Sequence, residues 1–377
     1  MWRPCHRCRI GANPRKRDLA LWESNLCDRL GSLLVDQGLA VHDQSETIEW
    51  SRKAALLRVR YGINEGTAGR MSQDFRLLMI GAMYENGGNT THRFLDGHPQ
   101  LYVYPFESQL GTRFVADHLS SMFPLKYRWP AFRLDATPHE DYAAIIDEEG
   151  KVRARTPQVS KFRHVPFEFS DDDRAALYER YVGDTGRSRP NNVAAFFRAT
   201  FDAWKDYQRS GHEVMYVGYS PIVTVDADKI LEDFPGAHVL HVVRNPWSAY
   251  ADTKKRPVPI PLRHYMLGWT LNQYHALFFQ KKFPGRMHII RAEDVMEDSY
   301  KTLAALCARL GLQPSDSLKA PSWNGRRLAE VYPWGTIRTP TLEANRATAR
   351  ELSAQETDEI GSYAWKYCDE FGYRLIA

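Results

Sequence analysis

The sequence lacks a long hydrophobic run. None of its apolar stretches reaches the roughly 18 residues that a membrane-spanning helix requires, so we expect no membrane span. The N-terminus carries arginine and cysteine instead of an apolar segment, and it shows no secretory signal. The five cysteines are odd in number and scattered, which favours a reducing, cytoplasmic setting over a disulfide scaffold.

Strong charge of either sign is also missing. The net charge of +4 and the pI of about 8.7 are too mild to predict a nucleic-acid partner. Cys5 and Cys8 have half the spacing of a zinc site, but only Cys27 and His42 follow as further ligands, so we predict no metal. The hydrophobic content of 43% suffices for one large α/β domain or two smaller ones.

The GxxxxGK[ST] pattern of ATP- and GTP-hydrolysing P-loops does not occur, but a Gly-rich turn is present within residues 75–99. The apolar run Leu77–Ile80 is typical of a buried parallel strand. Gly81, Gly87 and Gly88 permit backbone angles that other residues resist, so several amides can turn inward together. The pattern therefore predicts a strand, a tight turn and a helix.

The residues after this turn predict a helix N-terminus. Asn89, Thr90 and Thr91 are suited to cap the helix and to add side-chain donors. Amides that converge at a helix N-terminus bind anions, and the helix dipole favours negative charge there. A phosphate is the ligand that this pattern favours, although a tight turn without a ligand fits the same residues.

Strands and helices alternate downstream, which predicts a central, mostly parallel sheet flanked by helices, an α/β fold. The next strand ends near Glu107, a carboxylate placed to act as a base or, alternatively, exposed in a loop. Further strands are predicted at Val214–Val217 and Val239–Val243. Arg244 follows the last strand, at the edge where open α/β sheets bind ligands, and its planar fork matches a phosphate.

Helical segments complete the predicted organisation. Residues 108–125 read as a helix, another helix is capped by Ser170 or Asp171, and Ser353 with Glu356 forms a capping box near the end. We interpret 126–212 as an insert on the acceptor side. One helix in it has an apolar face that we interpret as core, formed by Val193, Phe196, Phe197, Phe201 and Trp204.

Two of these stretches together resemble the sulfotransferases that use 3′-phosphoadenosine 5′-phosphosulfate (PAPS). They are the Gly-rich turn and His238–Lys254, HVLHVVRNPWSAYADTK. The stretch Gly285–Leu312 is similar to that family's strand, Glu-Asp turn and helix, and LDGHP after the turn also recurs in the family. The resemblance covers about 75–312. It implies a P-loop-like sulfotransferase fold over 71–377. Composition and spacing predict that the extension over 1–70 is partly disordered and contains one amphipathic helix from Asp18, which either packs on the domain or belongs to a spurious extension upstream of Met71.

The resemblance also implies a donor site. The residues assigned to the 5′-phosphosulfate are Asn86, Gly87, Gly88, Asn89, Thr90 and Thr91. Arg244 would hold the 3′-phosphate. The serine that the family places about two turns further on is Asp252 here, so Ser248 or Thr253 would serve instead. Glu107 matches the position of a catalytic glutamate in several family members.

Two departures concern positive charge. The family usually has arginine or lysine where this sequence has Asn86, and often lysine where it has Tyr219. Cations lower the barrier to sulfuryl transfer, so another must replace them or activity is lost. The candidates are His92, Arg93, Lys161 and Arg338, each of which also reads as an ordinary surface charge.

The expected reaction is in-line transfer of a sulfuryl group to a hydroxyl or amine, with Glu107 as base and no metal required. The acceptor is a small molecule, carbohydrate or peptide. Its pocket would be aromatic, although the same side chains fit a core: Tyr102, Tyr104, Phe106, Trp269 and Tyr332. An inactive member that binds the donor and works through interactions is a second reading, and another nucleotide-dependent transferase a third. The oligomeric state is not predicted.

Overall fold

We describe residues 74–122, 127–133, 135–155, 166–256, 259–328 and 341–374 of a computed structural model. The predicted extension over 1–70 lies outside these residues, as do the candidates Lys161, Tyr332 and Arg338. Within the described ranges, no helix combines the length and the apolar character needed to cross a membrane.

The centre of the fold is a parallel sheet in the order β2-β3-β1-β4-β5. Its strands are β1 (Leu77–Gly81), β2 (Leu101–Val103), β3 (Met215–Tyr219), β4 (His238–Val243) and β5 (Met287–Arg291). Every residue of β1 is buried, as its continuous apolar run requires for a central strand. After β1 the chain goes to β2 at one edge of the sheet, and after β4 it goes to β5 at the opposite edge. The adjacent strands β1 and β4 therefore form a topological switch point.

Helices cover both faces of the sheet. In chain order they are α1 (Gly88–Leu95), α2 (His118–Met122), α3 (Pro138–Arg155), α4 (Asp171–Thr185), α5 (Arg189–Ala203), α6 (Ala227–Asp233), α7 (Pro246–Thr253), α8 (Leu262–Lys282), α9 (Ala292–Glu297), α10 (Ser299–Arg309), α11 (Leu342–Ala349) and α12 (Ala354–Phe371). Short 3₁₀ turns span Val223–Asp226 and Asp316–Lys319, and a small hairpin pairs β6 (Ser322–Trp323) with β7 (Arg326–Arg327).

Alternate residues of β1 enter different cores. Leu77 and Met79 pack with α5 and α6, whereas Leu78 and Ile80 pack with α1 and α10. A third cluster joins α7, α8 and α12 and includes Met83 from the Gly-rich turn. The turn after β1 is therefore packed from beneath by one of the protein's main cores.

Most of the predicted elements are confirmed. Strands β1, β3 and β4 lie within one or two residues of the expected positions, and the sheet is parallel, but β2 ends at Val103 and not near Glu107 as expected. Ser170 caps α4, and Ser353 with Glu356 forms the capping box of α12. All five side chains of the predicted apolar face, Val193 to Trp204, are buried.

One predicted helix is wrong in most of its length. Over 108–122, only His118–Met122 is helical. The reason is tertiary pairing: the Ser108 amide donates to the Tyr219 carbonyl at 2.7 Å, so this part of the chain continues along β3 before it turns away. The predicted insert over 126–212 supplies α3, α4 and α5, and its relation to an acceptor stays a prediction.

Candidate active site

The Gly-rich turn joins β1 to α1 at the carboxyl edge of the sheet. Gly87 has a φ of 82°, and a Cβ added there would lie 2.9 Å from the Ala292 Cβ. A Cβ on Gly88 would lie 2.6 Å from Cε2 of the Tyr219 ring. Neither position accepts a side chain without movement of the packing around it, so the two glycines let the turn, which forms a cradle of backbone, pack closely against Ala292 and Tyr219.

The first turn of α1 has the form of an anion site. Gly87 is the N-cap, no side chain caps the helix, and the first turn contains no acidic residue. The Thr91 amide donates to the Gly87 carbonyl at 2.9 Å, which leaves the amides of Gly88, Asn89 and Thr90 at the open end. The expectation that Asn89, Thr90 and Thr91 cap the helix is wrong, because all three lie inside it. Open amides in a glycine cradle fit a phosphosulfate.

Asn86 fixes this turn to the end of β4. Its Oδ1 accepts from the Arg244 amide at 3.0 Å and from Trp269 Nε1 at 3.2 Å. Its Nδ2 donates to the Tyr84 carbonyl at 2.8 Å and to the Tyr265 hydroxyl at 2.9 Å. The side chain is buried and its amide group is fully used. Asn86 therefore positions the turn, and any contact with a donor would come from its backbone.

Arg244 lies beside the turn, at the switch point, and is only 3% exposed. Its Nη1 donates to the Glu85 carbonyl at 2.8 Å, and its Nε donates to Asn345 Oδ1 at 2.7 Å. Its Nη2 lies 2.8 Å from Asp252 Oδ2, an ion pair whose alignment falls short of a hydrogen bond. The arginine expected to hold a 3′-phosphate thus already has a carboxylate partner.

The two hydroxyl groups considered in place of the missing serine are bonded to backbone carbonyls. Ser248 is fully buried and donates to the Asn345 carbonyl at 2.8 Å. Thr253 is fully buried and donates to the Ala249 carbonyl of its own helix at 2.8 Å. The Ser248 hydroxyl therefore joins α7 to α11 and the Thr253 hydroxyl bonds within α7, and their assignment to a donor stays a prediction.

Glu107 lies at the same edge of the sheet, next to the end of β3. The Ser108 amide that follows it donates to the Tyr219 carbonyl at 2.7 Å. Gln109 Nε2 donates to Glu107 Oε2 at 2.8 Å, which orients the carboxylate. The side chain is half-buried, so it is open to a second molecule. Sequence reasoning placed Glu107 near a strand end, and its packing against β3 puts it beside the Gly-rich turn.

Comparison with known proteins agrees with this geometry. A model of the sulfotransferase family matches residues 78–316, more than half of the chain. The chain belongs to the sulfotransferase family. Among curated proteins, none matches it.

Several solved structures resemble this family member. The sulfotransferase domain from the curacin biosynthetic pathway has 17% identity and a TM-score of 0.40, over 81% of this chain and all of that domain. The domain from the Synechococcus PCC 7002 olefin synthase has 17% identity and a TM-score of 0.42, over 80% and 97%. Sulfotransferase STF9 from Mycobacterium avium has 13% identity and a TM-score of 0.41, over 85% and 83%. Likeness at this level identifies neither donor nor acceptor.

A charged and aromatic group at the rim of this sulfotransferase fold was missed by sequence reasoning. Tyr84 stacks edge-on against Tyr127, with ring centroids 5.9 Å apart, and the Arg256 guanidinium lies 5.0 Å from the Tyr84 ring centroid. Arg256 Nη1 donates to Glu85 Oε1 at 3.1 Å. Burial raises the pKa of Tyr84, Tyr127 and more weakly Glu107 raise it further, and Arg256 opposes the rise. The hydroxyl therefore stays protonated, with Glu107 and Arg256 close enough to act on it.

The basic run from Lys254 to Arg256 was the available signal for this group. It directly follows the helix that begins at the Arg-Asn-Pro motif, so it must lie near that motif. Nothing in the local sequence, however, indicates that the run folds back over Tyr84.

The two catalytic cations predicted from α1 are buried. Arg93 Nη2 donates to the Tyr104 carbonyl at 2.9 Å and lies 2.8 Å from His92 Nδ1, and Nη1 lies 3.8 Å from Asp96 Oδ2. The His92 ring packs 5.9 Å from the Tyr219 ring. These contacts join α1 to the segment after β2, so a catalytic role for either residue stays a prediction.

The predicted aromatic acceptor pocket is largely a core. Tyr104 and Trp269 are fully buried. Tyr102 stacks on Tyr216 at 4.7 Å and packs in a cluster with Phe201. Phe106 is half-buried and packs edge-on against Phe167, with ring centroids 5.1 Å apart. Aromatic rings that pack on one another in this way contribute to stability, and their use in an acceptor pocket stays a prediction.

Proposed function

We propose that this protein transfers a sulfuryl group from PAPS to a hydroxyl or amine of an acceptor, with Glu107 as the general base. The observation that carries the proposal is the meeting of three features at one sheet edge. They are the uncapped glycine cradle before α1, the buried Arg244 at the switch point, and the half-buried Glu107 beside them. Membership of the sulfotransferase family supports the reaction class.

Each feature would have a defined part in the reaction. PAPS supplies the sulfuryl group as a co-substrate. The amides of Gly88, Asn89 and Thr90 would hold the 5′-phosphate and stabilise the charge that it gains as the leaving group. Glu107 would accept the proton of the attacking acceptor group as its oxygen or nitrogen bonds to sulfur and the bond from sulfur to the phosphate oxygen breaks.

A specific observation also favours the alternative function, an inactive family member that binds the donor and works through interactions. Both positions at which the family usually carries a cation hold uncharged side chains, and the amide of Asn86 is fully hydrogen-bonded. An inactive member would still bind the nucleotide through the cradle. The two readings therefore differ in turnover and agree in binding.

The first test is calorimetric titration with adenosine 3′,5′-bisphosphate, the product of the donor. We expect micromolar binding that Arg244→Ala lowers at least about tenfold, because the substitution leaves the Asp252 carboxylate without its arginine partner and able to repel the 3′-phosphate. Arg263→Ala is the matched control, because Arg263 is exposed, pairs with Glu359 and lies on α8. A folded wild-type protein that binds no nucleotide would refute a donor site.

The second test separates the enzyme from the inactive member. Incubation with labelled PAPS and a panel of hydroxyl and amine acceptors should yield a labelled product. Glu107→Gln, which keeps the size of the side chain, should lower kcat by about 10²- to 10⁴-fold while nucleotide affinity stays within about twofold. Tight nucleotide binding together with no turnover on any acceptor would favour the interaction protein.

A further inference from the structure

The pair of Arg244 and Asp252 sits where the resemblance places the 3′-phosphate of the donor. Asp252 is 5% exposed, and its Oδ2 lies 2.8 Å from Arg244 Nη2. The other two guanidinium nitrogens are bonded to the Glu85 carbonyl and to Asn345 Oδ1. Every nitrogen of the arginine thus has an oxygen of the protein at contact distance.

The neighbouring neutral donors are committed as well. Ser248 and Thr253 both donate to backbone carbonyls and are fully buried. The amide nitrogen of Asn345 donates to Glu293 Oε1 at 3.0 Å. In the part of the chain that the structure describes, the group that faces Arg244 from α7 is therefore a carboxylate, where the family has a hydroxyl.

A carboxylate in this place has opposite effects on the two possible ends of a donor. A phosphate dianion at Arg244 would compete with Asp252 and be repelled by it. A ribose 3′-hydroxyl would be able to donate a hydrogen bond to the same carboxylate, as acidic residues do for a ribose hydroxyl in dinucleotide-binding folds. Lys255 softens the repulsion only in part, because its Nζ lies 3.9 Å from Asp252 Oδ1 but 2.6 Å from Glu351 Oε2.

We propose that Asp252 is a specificity-determining residue that removes the preference for a 3′-phosphate. The site would accept adenosine 5′-phosphosulfates with a free 3′-hydroxyl at least as well as 3′-phosphorylated ones. This inference rests on the proposed function and widens its class of donor. In this proposal, the cradle before α1 recognises the donor by its 5′ end. Arg244 contributes little to the affinity, because Asp252 already neutralises its charge.

Two nucleotides that differ only in the 3′-phosphate test the inference: AMP and adenosine 3′,5′-bisphosphate. Calorimetric titration of the full chain with each should give dissociation constants within about threefold of one another, since the repulsion from Asp252 cancels the attraction of Arg244. Asp252→Ser, which restores the family's residue, should tighten binding of the bisphosphate at least about tenfold and leave AMP within about twofold. Asp252→Asn, which removes the charge and keeps the size of the side chain, should also tighten binding of the bisphosphate.

The outcomes separate this inference from the proposed function. A wild-type protein that binds the bisphosphate more than about threefold more tightly than AMP overturns the inference and leaves the sulfotransferase proposal standing. A folded protein that binds neither nucleotide overturns both. The comparison of the two nucleotides on the wild-type protein needs no variant. It therefore tests the inference even if Asp252→Ser does not fold.

Discussion

Arg256 brings positive charge to the rim of the Gly-rich turn from the segment that follows α7. Its guanidinium lies over the Tyr84 ring and pairs with Glu85, a residue of the turn with a φ of 58°. The family's usual cation is replaced by Asn86, whose side chain is buried and fully bonded. We therefore expect Arg256 to supply the charge that the turn itself lacks.

Substitution of Arg256 tests this expectation. Arg256→Ala should lower kcat by about 10- to 100-fold, because a cation near the transferred group stabilises charge that develops in the transition state. Arg256→Lys should restore part of the loss, since it keeps the charge and loses the planar fork. The assay is turnover of labelled PAPS. An equal effect from Arg263→Ala, whose side chain is 80% exposed and also paired with a glutamate, would show that the effect is one of general surface charge.

At the scale of single residues, the chemical character of a candidate residue can be predicted from the sequence, whereas its contacts in the fold cannot. Arg244 could be selected because an arginine at the carboxyl end of a strand can bind a phosphate, and Glu107 because it matches a catalytic position in the family, and both roles stay predictions. The role of Asn86 could not, because its partners Arg244, Tyr265 and Trp269 are all more than 150 positions away. Only the assembled sheet brings them to one side chain.

The start of α1 is the element on which the proposed donor site depends. It begins at a glycine because Tyr219 and Ala82 approach the backbone too closely for a side chain: a Cβ on Gly88 would lie 2.6 Å from the ring and 2.7 Å from the Ala82 Cβ. The close approach also seats the tyrosine ring beside the cradle, where the family often has a lysine.

Gly88→Ala should therefore move α1 or the Tyr219 ring. We expect a loss of about 1–3 kcal/mol in the free energy of unfolding, typical of overpacking, and weaker nucleotide binding. Gly183→Ala in α4 is the control, since a Cβ there meets no atom within 4 Å. That change should stabilise the protein by about 0.4–1 kcal/mol. Equal effects in urea unfolding would contradict the packing argument.

Elements that local sequence determines were predicted, and those fixed by distant partners were not. The β-strands are continuous apolar runs between turns, which few other structures produce. Residues 108–117 have a helix-like pattern, yet Ser108 at the start of this stretch pairs with the end of β3. The N-cap of α1 was misplaced because Asn89, Thr90 and Thr91 are good capping residues, whereas the position that begins the helix was decided by the tight packing around Gly87 and Gly88.

On the scale of the whole molecule, a buried histidine links the sheet to α8 and makes stability depend on pH. His241, on β4, is fully buried between Thr224 Oγ1 at 2.9 Å and Gln273 Oε1 at 2.8 Å. Burial lowers its pKa from 6.5 to about 4, against a weaker upward effect of Gln273. The folded state thus favours the neutral ring, and the unfolded state binds the extra proton.

The free energy of unfolding should consequently fall as the pH drops below the pKa of His241 in the unfolded state. Between about pH 7.5 and pH 5, His241 alone should remove about 2 kcal/mol from the free energy of unfolding. Urea unfolding of the wild type and of His241→Gln at both pH values gives the change in the free energy of unfolding with pH for each protein. The difference between the two changes is the contribution of His241. His212→Gln, at an exposed position, is the control. The same pH dependence in the wild type and His241→Gln would exclude His241 as the source.

The amide of Asn86 has one more consequence. The turn after β1 and the turn after β4 are held to each other by a group that carries no charge and does not titrate. A lysine or arginine in this place would have linked the two turns through an interaction that salt screens. The Asn86 contact is therefore independent of ionic strength and of acidity, so conditions that alter the charge of a bound ligand leave this link between the two turns unchanged.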